Sequence, residues 1–307
     1  MTNTQNQEQV STSESSRIYS LFYSFFLIPL MIVVFGILFY LLFAVITEEP
    51  TDINQLLIKL ETGSVRDKAN ASYRMNKLFF NDPDIYNSSY TNRIIKIHNM
   101  SKSEYLPDNT LRLHTIMIMG NSNDSTFGPI LINELKSEKE ELRIKSIEAL
   151  GKLKYKNASD EIDKFLSSNN SFLEKLAATG TLGNIGNKNV IPSLVGLINS
   201  WPSDWIETDG PELRWEAALA LLKLNYIDNK TEKIINSLLD RSYYQSYNEL
   251  DENTINFVML KILNILFSIN DPKLLIYFNE SIEFLSLEDP NLEIRNYAKK
   301  VYNILKK

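Results

Sequence analysis

The phrase LRIKSIEALG at residues 142–151 recurs along the chain, and this recurrence constrains the fold more than any other feature. Residues 111–120 read LRLHTIMIMG, 174–183 read EKLAATGTLG and 213–222 read LRWEAALALL. Each carries a cation at its second position and a small or short side chain three residues later: Arg112/Thr115, Arg143/Ser146, Lys175/Ala178 and Arg214/Ala217. Arg66/Ala69 and Arg295/Ala298 bracket the series, and Asn256 marks a weaker copy that lacks the cation. The intervals 66→112, 112→143, 143→175 and 175→214 are 46, 31, 32 and 39 residues. Helical apolar periodicity between short polar breaks, at a period of roughly 30–45 residues, predicts stacked helical hairpins. One hairpin cannot bury its own apolar face, so neighbours share a continuous core. The small residue after each cation is expected to let the inner helix approach its partner closely.

The join TLGNIGNKNVIPSLVGLI, residues 181–198, is the best preserved. Gly183 and Gly186 are expected to end one helix, because Gly tolerates the left-handed C-cap conformation. Pro192 is expected at the start of the next, where its missing N–H costs nothing. After R-x-x-A, the pattern L-G-x-I-G-x-x-x-x-I-P-x-L resembles HEAT repeats of the short type also found in phycobilisome lyases. The resemblance covers residues 51–306 and is strongest over 111–225. It implies an all-α, right-handed α-solenoid of about seven HEAT-like hairpins spanning residues 47–307. It transmits no activity, since most such modules bind proteins. Deoxyhypusine hydroxylase, an enzymatic relative, holds iron through His-Glu dipeptides, and this sequence contains none.

Ahead of the repeats, residues 1–17 form a polar tail expected to be disordered. From Ile18 to Ile46 no residue is charged. Leu27–Ile46 is long enough as a helix to cross a bilayer core of about 30 Å, with Tyr19, Phe22, Tyr23, Phe25 and Phe26 at one interface. The stretch is too long for a signal peptide and ends FAVITEEP without a small-residue cleavage site. Residues 18–46 are therefore expected to be an uncleaved single-pass anchor in contact with the lipid bilayer. Arg17 favours a cytoplasmic amino terminus, which places the solenoid outside the cytoplasm, on the periplasmic side of a bacterial membrane.

The net charge of −6 with no basic stripe argues against nucleic acid, whose phosphates require a Lys/Arg surface. The absence of cysteine removes disulfides, thiol catalysis and thiolate metal sites. His98 and His114 belong to no metal-binding pattern. His114 is expected to be buried and hydrogen-bonded, and His98 to lie at the polar edge of its helix. Gly180, Gly183 and Gly186 do not follow a strand and make no phosphate loop. No catalytic residue, cofactor or metal site is assigned, and the chain is not expected to be an enzyme. The repeated cations are expected to pair with acids or carbonyls of neighbouring repeats.

Two segments interrupt the rhythm. WPSDWIETDGPE, residues 201–212, and DRSYYQSYNELDE, residues 240–252, fall between the first and second helices of the fifth and sixth hairpins. Corresponding loops of stacked repeats emerge on one edge. Trp201, Trp205, Tyr243, Tyr244 and Tyr247, beside Asp204, Glu207, Asp209 and Glu212, are thus expected to form an aromatic, acidic partner-binding surface. The competing expectation is that these rings fold back over their hairpins. Trp215, inside the second helix, is assigned to packing. The expected function is a membrane-anchored scaffold or accessory subunit whose partner is another membrane-complex subunit. The alternative is an accessory enzyme of lyase-like type, acting on a ligand or substrate protein in the solenoid groove.

Overall fold

The structure, a computed structural model, describes residues 27–47, 52–103, 108–167, 169–199, 211–246 and 250–306. The chain divides into two units between Gln55 and Leu56. In the first, helix α1 (Ile28–Thr47) carries no charged residue. Its large apolar side chains from Ile28 to Leu42 are each 44–71% exposed. The aromatic residues expected to precede it, from Tyr19 to Phe26, lie outside the described residues.

The second unit is entirely helical among the described residues. Among the described residues the helices from Ile53 onward, the first of which spans the boundary, fall into seven successive pairs. These are α2 (Ile53–Thr62) with α3 (Val65–Asn81), α4 (Thr91–Met100) with α5 (Asn109–Asn121), and α6 (Gly128–Glu134) with α7 (Glu140–Lys152). They continue with α8 (Ser159–Asp163) and α9 (Phe172–Ile185), α10 (Ile191–Asn199) and α11 (Pro211–Lys223), and α12 (Asn229–Leu238) and α13 (Glu252–Ile269). After the short α14 (Pro272–Leu275), α15 (Asn279–Glu288) and α16 (Leu292–Leu305) close the series. The second helices α3, α5, α7, α9, α11, α13 and α16 pack one against the next, with the first helices α4, α6, α8, α10, α12 and α15 laid against them. This is the repeat architecture that the recurring phrase predicts.

The phrase has a packing reason. Thr115, Ser146, Ala178, Ala217 and Ala298, three residues after their cations, are all buried. The glycine that ends the phrase lies at the contact between neighbouring second helices. A Cβ on Gly120 would come within 2.7 Å of Ala149, one on Gly151 within 2.9 Å of Thr181, and one on Gly183 within 2.7 Å of Ala220. Gly183 is thus an interior residue of α9 at a helix crossing, not its end. Gly186 alone is the C-cap, with φ of +78°.

A left-handed residue recurs at each joint between pairs from the second onward: Asn123, Lys154, Gly186, Asn225 and Asn270. The first four each lie eleven residues after a repeat cation, at 112→123, 143→154, 175→186 and 214→225. Counting back by the same interval from Asn270 gives 259, so the buried Met259 occupies the cation position of α13. Asn256 lies almost one turn too early, because α13 has 18 residues where α5, α7 and α11 have 13. By length and composition α13 is also apolar enough to cross a membrane. Met259, Ile262, Leu263, Ile265 and Leu266 are buried along it, so the helix is a core element of the stack.

Candidate functional site

The aromatic insertions are the first candidate. Trp201, Asp204, Trp205, Glu207, Asp209 and Tyr247 lie outside the described residues. Tyr243 and Tyr244 stand in a 3-10 segment, Arg241–Ser246, directly after α12. Tyr244 is only 2% exposed, and its hydroxyl donates to the Leu238 carbonyl at 2.7 Å. Burial pushes its phenol pKa up. The expectation of an exposed Tyr244 is therefore corrected: its ring fills the end of its own hairpin, and its hydroxyl caps the carbonyl end of α12. Trp215 is 7% exposed, and its ring lies 6.1 Å from Tyr244 and 6.2 Å from Tyr243. Its indole N–H reaches the half-buried Tyr243 hydroxyl at 3.4 Å. These ring contacts, edge-on to Tyr244 and tilted to Tyr243, tie the sixth insertion to the second helix of the fifth hairpin, the packing role assigned to Trp215.

The repeated cations are the second candidate, and for Arg112, Arg143 and Arg295 the ligands are internal, whereas Arg214 Nε is buried without a partner among the described residues. The Arg143 side chain donates to Glu174 Oε1 at 2.5 Å, in the next hairpin, and to the carbonyls of Ser137 and Glu138 at 2.7 and 3.0 Å. Those carbonyls follow the end of α6, where backbone acceptors lack helical partners and a cation suits the dipole. Arg295 donates to the Asp289 carbonyl, also six residues upstream. Arg112 reaches Glu134 Oε2 at 2.7–2.8 Å, again in the next hairpin. These contacts are of the structural kind expected from the sequence, with the hairpin's own loop carbonyls as an additional class of acceptor.

Around Glu134 they build a buried polar centre. Glu134, the last residue of α6, is fully buried. It pairs with Arg112 and Lys102 and lies 3.1 Å from His98 Nε2. His98 Nδ1 is 2.8 Å from Thr115 Oγ1. Burial alone would raise the Glu134 pKa, but contacts with His98 and Lys102 hold the carboxyl down at about 2. Burial depresses the His98 pKa more than its bond to Glu134 restores it, because two cations already neutralise that carboxylate. The neutral imidazole then donates from Nε2 to Glu134, while Nδ1 lies beside the Thr115 hydroxyl, which also donates to the Arg112 carbonyl at 2.8 Å. The two histidines exchange the roles expected from sequence. His98 is fully buried and bonded, whereas His114 is half-buried with Nδ1 lacking a partner. An amphipathic reading of RIIKIHNM misplaces His98 because its polar partners come from other helices: Thr115 from the second helix of its own hairpin and Glu134 from the next hairpin.

Along the second helices, lysines bridge successive pairs. Lys152 donates to Asn121 and Lys223 to Asn184, both at 2.8 Å, and Lys261 reaches Glu216 at 2.6 Å. Burial lowers the pKa of Lys152 and Lys223. Among the described residues no group of three or more His, Asp or Glu side chains is placed to hold a metal.

The fold and these contacts define an α-solenoid of HEAT-like hairpins in which the repeated charges serve the stack itself. Residues 128–206 match the family model for HEAT repeats. A chain in the complex of CpcE and CpcF of phycocyanin lyase from Nostoc sp. PCC7120 has the same fold, with a TM-score of 0.56 at 17% identity. That match covers 85% of this chain and 96% of the other. The archaeal HEAT-like repeat protein from Thermococcus onnurineus NA1 superposes with a TM-score of 0.39 at 17% identity, over 84% of this chain and 98% of its own. No curated protein sequence matches this chain.

Proposed function

We propose that this chain is a single-pass membrane-anchored docking scaffold, an accessory subunit that holds another protein of a membrane complex. The observation that carries this reading is α1: twenty uncharged residues, about 30 Å of helix, whose large apolar side chains from Ile28 to Leu42 stand exposed, ahead of a solenoid in the sequence. Tethering a repeat surface in the plane of the membrane raises its effective concentration for partners held there. The phycocyanin-lyase chain belongs to a complex of two named subunits, which supports a partner-binding use of the fold. The amino terminus faces the cytoplasm and the solenoid the other side.

Purification from gently solubilised membranes, followed by mass spectrometry, tests the proposal. The expected result is a stoichiometric partner, an amino terminus upstream of Ile18, and a solenoid digested by protease added outside intact cells stripped of any outer layer. A soluble protein with a mature terminus near Thr47 would defeat the anchor, and purification without a partner would defeat the scaffold. For the aromatic insertion, Trp205→Ala is expected to weaken partner recovery about thirtyfold, roughly 2 kcal/mol, with an unchanged denaturation midpoint. A destabilised variant whose folded fraction binds normally would make this loop a lid. The lyase likeness also supports a second reading, an accessory lyase-like enzyme that holds its substrate against the lysine-bearing second helices. Retained partner binding with lost product formation in Lys152→Met and Lys223→Met would favour it.

A further inference from the structure

Two depressions between α12 and α15 share Asn236, Glu280 and Ser281 and form one groove, with volumes of ≈ 660 and ≈ 500 Å³. Asn236 fixes its floor, donating to the Tyr277 carbonyl at 3.2 Å and accepting from Ser281 Oγ at 2.7 Å. Ile276, Tyr277 and Phe284 line the groove and remain 60%, 48% and 62% exposed. Glu232, Asp240 and Glu280 complete the lining, and no lysine or arginine belongs to it. None of the three carboxylates forms an ion pair among the described residues. The α15 side of the groove is acidic, since residues 274–294 contain five acids and no cation, and of the five only Asp289 forms an ion pair among the described residues, with Arg241.

We infer that this groove docks a basic amphipathic helix of a partner protein. The inference rests on the scaffold reading and specifies the partner's chemistry. Apolar residues on one stripe of that helix would cover Ile276, Tyr277 and Phe284, and flanking Lys or Arg would meet Glu232, Asp240 and Glu280. This is helix-in-groove recognition with charge setting specificity and on-rate. The ten residues of α12 and of α15 give the groove a length of about 15 Å, which matches a partner helix of about three turns.

The test uses the full chain in nonionic detergent micelles and a fluorescein-labelled fourteen-residue peptide with leucines at helical spacing and lysines elsewhere. Anisotropy referenced to empty micelles is expected to show saturable binding that weakens as salt rises, and no binding of the glutamate counterpart. Phe284→Ala and the pair Glu232→Gln/Glu280→Gln are each expected to weaken binding about tenfold with unchanged thermal melts. A photo-crosslinking version of the lysine peptide is expected to mark residues 276–284 of the unaltered chain, which keeps the test independent of variant folding. Absent binding, equal affinity for the variants or crosslinks confined to other hairpins would overturn the inference. If Phe284→Ala still co-purifies the native partner, the groove falls and the scaffold stands. If the peptide binds this groove but membranes yield no partner, the scaffold falls and the groove stands.

Discussion

The buried acids Glu134 and Asp289 occupy comparable places, at the ends of α6 and α15, yet they are neutralised differently. Glu134 receives Lys102 from the segment after α4, Arg112 from the repeat phrase, and His98. Asp289 receives Arg241, from the segment after α12, in two bonds of 2.7 and 2.9 Å, plus the Asn291 amide. The repeat cation is missing there because Met259 has its position, and Asn256 instead accepts from Arg241 at 2.6 Å. The bidentate guanidinium from the inserted segment thus does the work that two cations share at Glu134. The comparison teaches that a buried acid at the end of a first helix can be compensated from different segments of the chain: from the repeat phrase at Glu134 and from the insertion at Asp289. It also gives the sixth insertion a structural duty: Arg241 and Tyr244 hold it to the stack, whatever its undescribed part binds.

The comparison can be broken by removing the acids. Glu134→Ala leaves Arg112 and Lys102 facing a void and is expected to cost about 3–5 kcal/mol, read as a lowered denaturation midpoint. Asp289→Ala should cost less, since it strands one cation; an equal or larger loss would refute the ranking of the two centres. Acid titration sharpens the same point. The Glu134 pKa of about 2 lies below its ordinary value of 4.5. It contributes roughly 3 kcal/mol that is fully present above pH 4.5 and disappears as pH falls toward 2. The depressed His98 pKa acts in the same direction, withdrawing stability as pH falls below the ordinary histidine value. Glu134→Gln should flatten this acid limb, and an unchanged pH profile would show that the carboxylate is not the group titrating.

The glycine contacts separate the tightly stacked middle from the inserted end. Gly183→Ala pushes a Cβ against the Ala220 backbone and Ala178→Leu overfills a buried site, each at about 1–3 kcal/mol. An unchanged midpoint for both would invalidate the proposed helix register. The smallest effect is expected at the substitute position. Asn256→Ala removes one hydrogen bond from Arg241 and should cost about 0.5–1.5 kcal/mol, because Asp289 still holds the guanidinium. A loss as large as that of Asp289→Ala would mean that Asn256, not the bidentate pair, positions Arg241.

The sequence by itself determined the helical repeat, the small residues at its contacts, the C-cap at Gly186 and the uncharged character of α1. These features are local: periodicity, capping chemistry and side-chain volume can be read within one hairpin. Only the tertiary structure decided that Gly183 lies at a crossing with Ala220, that His98 is buried beside Glu134 and that Tyr244 belongs to the core. It also revealed the replacement of a repeat cation by Arg241 and the acidic groove between α12 and α15. Each of these depends on which side chains two separate hairpins bring together, and the stacking offset between hairpins is set by packing over the whole interface, not by the residues of either one.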